Sequence, residues 1–223
     1  VNKLQLCQRV RQEAGISGSG PVTVVNQTGE MGKIVNWVDS AYEDIQNLNA
    51  TWNFLRFDFS FPTIALSSTY TLASVGLDGL AKWNEDDVRA YLTSTGVAAE
   101  QRLDPIDWDY MRGVRLFSVG ATQAGTPVEF AIRPDKSIVF WQVPNAIYTV
   151  TGEYWKRAQT MTLNTDAPLF PPQFHMAIVW RAVKYYAADQ GAAELYATAS
   201  TNYSQLINRL EADQLPNFSF GGD

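Results

Sequence analysis

The chain has 223 residues, 46% of them apolar, so it is long enough to bury a core of its own, and one compound domain accounts for it. Its 17 Lys and Arg against 23 Asp and Glu give a formal charge of −6, the opposite of the basic surface that grips phosphates, which argues against a tight, sequence-reading contact with nucleic acid. The lone cysteine, Cys7, excludes an intramolecular disulfide. No apolar run reaches the roughly 18 residues of a membrane span, and the opening VNKLQLCQRV lacks the apolar stretch of a secretory signal.

From Asn2 to Ala14, Leu4, Cys7, Val10 and Ala14 recur at helical spacing, with Arg9, Arg11, Gln12 and Glu13 between them, and Gly15 stops the helix. The stretch GISGSGPVTVVNQTG has no helical period and reads as a flexible interaction arm. A second helix carries the stripe Met31, Ile34, Val35, Val38, Ala41, Tyr42, Ile45 and Leu48, with Lys33, Asp39, Glu43 and Asp44 on its polar side. The period then switches to two. Leu55, Phe57, Phe59 and Phe61 alternate with Arg56, Asp58 and Ser60, a strand buried on one face and ended by Pro62.

From Thr63 to Arg157 the pattern is short strands and turns, with strands expected around 88–94, 128–133, 138–142 and 148–155. A tight hairpin turn is expected at Asp135-Lys136 after Pro134, and a brief helix near 106–117 that Asp104 and Asp107 would open. Helix returns after Pro171-Pro172. FHMAIVWRAVKYYAAD is apolar around nearly its whole circumference, as in a helix covered on several sides. After Gly191 a longer helix carries Ala192, Leu195, Tyr196, Ala199, Tyr203, Leu206, Ile207 and Leu210, and Pro216 terminates it. The pattern predicts an α+β fold, a helical bundle from N- and C-terminal helices with an inserted antiparallel β-rich subdomain.

The inventory for chemistry is poor. His175 is the single histidine, so one chain cannot build a site with two histidine ligands, and no metal or cofactor is expected. Cys7 reads as a packed thiol and His175 as a helix-start residue bonded locally, not as a nucleophile and base. Asp107 with Asp109, or the run Glu85-Asp86-Asp87, has the residue types of a glycoside hydrolase but reads as turn caps. The glycines between Gly15 and Gly20 match no phosphate-binding loop. Phe57, Phe59 and Phe61 read as core, not as a stacking platform.

Five segments in order, LQLCQRVRQEAGISGSGP, GKIVNWVDSAYEDIQ, WNFLRFDFSF, IRPDKSIVFWQVPNAIYTVTGEYWKR and FHMAIVWRAVKYYAADQGAAELY, resemble the head-to-tail adaptor (connector, gatekeeper) proteins of tailed bacteriophages and span nearly the whole chain. The resemblance implies a structural virion protein, not an enzyme. It would be assembled in the host cytoplasm and sit at the head-tail junction, in a dodecameric ring beneath the portal protein and above tail nozzle, tail-tube or fibre proteins. Double-stranded DNA would pass through the ring without specific binding, and no membrane is involved. Residues 1–53 and 158–223 would be the helical, ring-forming and portal-docking part, and 54–157 the β-rich insertion facing the tail. Portal docking would fall to Leu206, Leu210, Leu215, Pro216, Phe218 and Phe220. Competing readings are another tail component (a nozzle or tail-completion subunit), a phage cell-wall hydrolase using the acidic pairs, and a carbohydrate-binding module using Trp141 or Trp155.

Overall fold

The structure is a computed structural model and describes residues 1–18 and 20–215. In chain order it contains α1 (Lys3–Glu13), α2 (Gly29–Asn47), β1 (Arg56–Pro62), β2 (Thr69–Tyr70), β3 (Leu80–Trp83), β4 (Arg89–Leu92), β5 (Gln101–Arg102) and β6 (Asp104–Pro105). A single turn, α3 (Trp108–Tyr110), runs into a π-helical turn (Met111–Arg115). Then come β7 (Ala124–Gly125), β8 (Glu129–Ile132), β9 (Ile138–Trp141), β10 (Val143–Pro144), β11 (Tyr148–Lys156), α4 (Met176–Gln190) and α5 (Ala193–Gln214). The fold is α+β. Two compact units are formed: Val1–Leu55 with the described part of Ala158–Asp223, and Arg56–Arg157.

In the helical unit, α1 starts on a reciprocal cap. The Asn2 side chain accepts from Gln5 N at 2.9 Å, while the Gln5 side chain accepts from Asn2 N at 3.0 Å. Beyond Leu6, Cys7 and Val10, α1 also buries Lys3 and Arg11, which its apolar spacing does not reveal. Lys3 Nζ donates to Met161 O at 2.7 Å and pairs with Asp39 at 2.8 Å, joining α1, α2 and the returning chain. The α2 stripe packs as its period requires from Ile34 to Ile45, but Leu48, at the C-cap, is exposed. Gln46 on α2 is buried and exchanges two hydrogen bonds with the Gln159 backbone, at 2.8 and 2.9 Å. An aromatic column of Trp52, Phe54, Phe170 and Tyr42 has ring centroids 5.3 to 5.9 Å apart. The stretch expected to be a free arm is instead fixed to this unit. Pro21 and Val24 are buried, and Val24 N donates to Asn164 Oδ1 at 2.7 Å.

In the β unit, β11 is the central strand. β1 lies antiparallel along one edge from Arg56↔Trp155 to Pro62↔Thr149, while β4 and then β3 occupy the other edge, and β5 extends the sheet beyond β4. A second sheet has the order β2-β9-β8-β6, and β7 pairs in parallel with β10. Phe59, Phe61, Tyr70, Trp83, Phe130, Phe140 and Tyr154 fill one core. The alternation of β1 puts Phe59 and Phe61 in it, whereas Phe57 is half-buried with Lys156 Nζ 3.9 Å from its ring centroid.

Two turn expectations shift. The β8–β9 turn centres on Pro134-Asp135, closed by Lys136 N donating to Arg133 O at 2.8 Å, and Lys136 follows in the left-handed region at φ 66°. Asp104 does not open the short helix. It lies in β6, paired with Glu129, and Asp107 alone caps α3.

Gly152 sits opposite Phe59 in the β1–β11 ladder, and a methyl group there would come within 2.9 Å of the Phe59 ring and against Asp87 O. Gly152→Ala therefore overpacks the sheet. It should lower stability by about 1–3 kcal/mol in urea denaturation, with the slope of the transition unchanged.

Candidate functional site

The residues that suggested chemistry are engaged in structure. Cys7 is buried, and burial pushes its thiol up to about 12, far from a thiolate at neutral pH. His175 is buried at the end of the Pro172–Phe174 turn, its Nε2 2.9 Å from Phe170 O, and burial lowers its pKa. The Asp107 carboxylate accepts from Asp109 N and Tyr110 N, at 2.8 and 3.3 Å. Asp87 pairs with Arg89 at 2.6 Å, and Asp86 lies 3.9 Å from Arg102. Trp141 carries the Arg115 guanidinium 4.2 Å from its ring centroid, and Trp155 carries Lys82 and Arg56 at 5.7 and 5.9 Å. Among the described residues, no group of three or more His, Cys, Asp or Glu is placed to hold a metal ion. None of their helices is long and apolar enough to cross a membrane.

The sequence-selected docking residues lie on α5 and beyond it. α4 ends on Gly191 in the left-handed region at φ 65°, and α5 begins two residues later, so the two helices form a hairpin. Leu210 is fully buried and Ile207 nearly so. Both fasten α5, so Leu210 serves by holding the helix rather than by offering its own surface. Leu206 and Leu215 are half-buried at the rim. Pro216, Phe218 and Phe220 lie outside the described residues. The outer face of α5 presents Thr201, Gln205, Asn208, Arg209 and Ala212, a mostly neutral surface of modest side chains.

A junction that spacing had not singled out secures this helix. Arg181 on α4 donates from Nε and Nη2 to Asp44 Oδ2 on α2 at 3.0 and 2.7 Å, and Tyr185 OH bonds the same carboxylate. The guanidinium also lies over Tyr185 and over Tyr203 of α5, at 5.0 and 5.6 Å, and Lys184 lies over Tyr196 and Tyr203 at 5.4 and 5.2 Å. Burial, followed by the neighbouring Arg181, lowers the Lys184 pKa, and burial raises that of Tyr203. The sequence signal was the i, i+4 pair Arg181 and Tyr185, which an apolar reading of α4 absorbs into its circumference.

Caps, ion pairs and cation–π contacts thus fasten one element to the next, and the outer face of α5 is left exposed. A family model described as SU10 adaptor protein matches residues 1–219. The chain belongs to that family, a phage head-to-tail adaptor family whose members are structural, non-enzymatic virion components. A search of curated proteins finds no match.

Two expectations follow. Asp44→Ala removes the shared acceptor of Arg181 and Tyr185 and should lower stability by roughly 1 kcal/mol, since both ion-pair partners are partly exposed. A double-mutant cycle with Arg181→Met measures that coupling. Because the folded state favours neutral His175, the unfolded chain takes up the proton first as pH falls below 6.5. The stability this contributes is fully present above 6.5 and is lost on acidification. The urea midpoint should fall between about pH 7.5 and about pH 5.5, and His175→Gln should flatten that dependence.

Proposed function

We propose that the chain is one subunit of a dodecameric ring docked beneath the portal protein, joining it to a tail nozzle, tail-tube or fibre protein and forming part of the channel for double-stranded DNA. Residues 1–53 and 158–223 are the ring-forming, portal-docking part in this reading, and 54–157 face the tail. The family match over residues 1–219 carries it, since such adaptors associate with portal and tail proteins at the head-tail junction. The charge balance is compatible with a passage: both units have net negative formal charge, which repels a duplex instead of adsorbing it.

Portal docking is assigned to the end of α5 and the chain after it. Leu206 and Leu215 supply half-buried apolar surface at the rim, Leu210 anchors the helix from within, and Pro216, Phe218 and Phe220 supply the apolar part of the peptide. Twelve copies acting together would amplify modest single-site binding.

Truncation after Leu215 is expected to leave a subunit with wild-type thermal stability that no longer forms a complex with purified portal. Light scattering of the mixture, with full-length chain as reference, measures this. Portal binding equal to that of the full-length chain refutes the docking role of residues 216–223.

A further inference from the structure

The β unit gathers its uncharged residues at one end of its main sheet. β1 ends at Pro62 beside Thr149, and β4 ends at Leu92 beside Tyr148, so the loops 63–68, 93–99 and 143–147 emerge together. Hydrogen bonds tie them: Thr63 N donates to Tyr148 O at 2.7 Å, Leu66 N to Pro144 O at 2.8 Å, and Thr93 N to Ile147 O at 3.1 Å. Segment 116–128 joins the same end through β7, which pairs with β10, and through Thr126 Oγ1, 3.1 Å from Tyr148 OH. These four stretches hold 31 residues and not one Asp, Glu, Lys or Arg, where the 18% average of the chain would place five or six.

Burial does not account for the lack of charge. Ile64 is 67% exposed, Leu66 75%, Phe117 72% and Val119 79%, with Val97 and Ile147 also exposed. Exposed apolar side chains grouped without charge mark a protein contact surface, because the centre of such an interface excludes charge. The backbone adds a second sign. Leu66 holds φ 64° and Ser118, between Phe117 and Val119, holds φ 55°, conformations that favour Gly or Asn. The isolated chain gains no burial from an exposed leucine in that region, so the rule broken locally is compensated elsewhere. Within the same end, a concavity of about 230 Å³ between Leu92, Thr95, Thr126, Pro127 and Tyr148 has the size of a single anchoring side chain and an entirely uncharged lining.

We infer that this end of the β unit is the docking face for a tail-side partner protein whose own contacting surface is free of charge. The inference rests on the adaptor reading above and deepens it. Charge complementarity selects the partner: a charged group pressed onto this face would be desolvated with no counter-charge. The same feature makes the contact insensitive to salt, since there are no ion pairs to screen.

The test uses a phage with a stop codon in this gene, complemented by wild-type chain, by Leu66→Asn, by Phe117→Asp, or by both changes together, with particles counted by electron microscopy. Leu66→Asn relieves the left-handed strain while deleting the apolar group, so it should melt no lower than wild type, and this keeps the test independent of folding. Filled heads that carry the adaptor but have lost tails, with tailed particles down about tenfold or more in the double variant, and tail retention on wild-type particles unchanged in concentrated NaCl, are the expected results. Tails at wild-type frequency on double-variant particles, or tails shed by salt, overturn the inference alone. Heads without the adaptor, or a self-association of the isolated chain in sedimentation that the same substitutions abolish, would assign the face to the portal or to a second copy and overturn it as well. Absence of the wild-type chain from particles overturns the adaptor reading and the inference with it.

Discussion

Strand β11 pairs with β1 over seven residues on one edge and with β4 and then β3 on the other, so its backbone sets the register of three of the other four strands of the main sheet. A slip of one residue would turn Phe59 and Phe61 out of the core and bring Arg56, Asp58 and Ser60 in, a change no local adjustment offsets. Gly152 has no room for a side chain in this ladder, because Asp87 O and the Phe59 ring occupy the space where one would be. The loops at the end of the sheet inherit their placement from that register, which is why residues from four separated stretches meet there.

The helical unit rests on a different kind of constraint. Lys3 of α1 is buried, and its ammonium donates to two acceptors, Asp39 of α2 and the carbonyl of Met161 on the returning chain. Desolvation raises the Asp39 pKa while Lys3 opposes it, so the pair is held by geometry more than by any gain from bringing charges out of water. The Asp44, Arg181 and Tyr203 junction repeats the device further along α2, this time with aromatic faces in place of the Met161 carbonyl. Polar groups of this kind favour one arrangement of helices over others that would bury similar apolar area.

The two local periods were legible directly. The stripe from Ile34 to Ile45 and the alternation of Phe57, Phe59 and Phe61 each report a face that the element itself determines. The strands of two to four residues, β2 to β7, were mostly not legible, because their existence depends on partners distant in sequence. Asp104 reads as a helix opener until Glu129 of β8 is seen beside it. Arg11 reads as solvent-facing because a charge is assigned to the surface by default, and only the folded neighbours reverse that. The 15–29 stretch reads as free for the same reason, since nothing local announces that Asn164 will bind Val24. At the candidate docking helix, spacing found α5 but could not separate Leu210, which is inside, from Leu206 at the rim. The charge-free runs were visible in the sequence throughout and acquired meaning only once the topology placed them together.

The left-handed Gly191 between α4 and α5 has a mechanical corollary. A hairpin closed so tightly has no slack at its closed end. A pull on the chain leaving Leu215, directed along the axis of α5 and away from Gly191, would load the seam with α4 in shear, so that its side-chain contacts resist at once instead of peeling one by one. Resistance to such a pull is governed by the rate of forced opening and not by equilibrium stability, and Tyr203, gripped by both Arg181 and Lys184, is a contact that sliding of the seam would have to break.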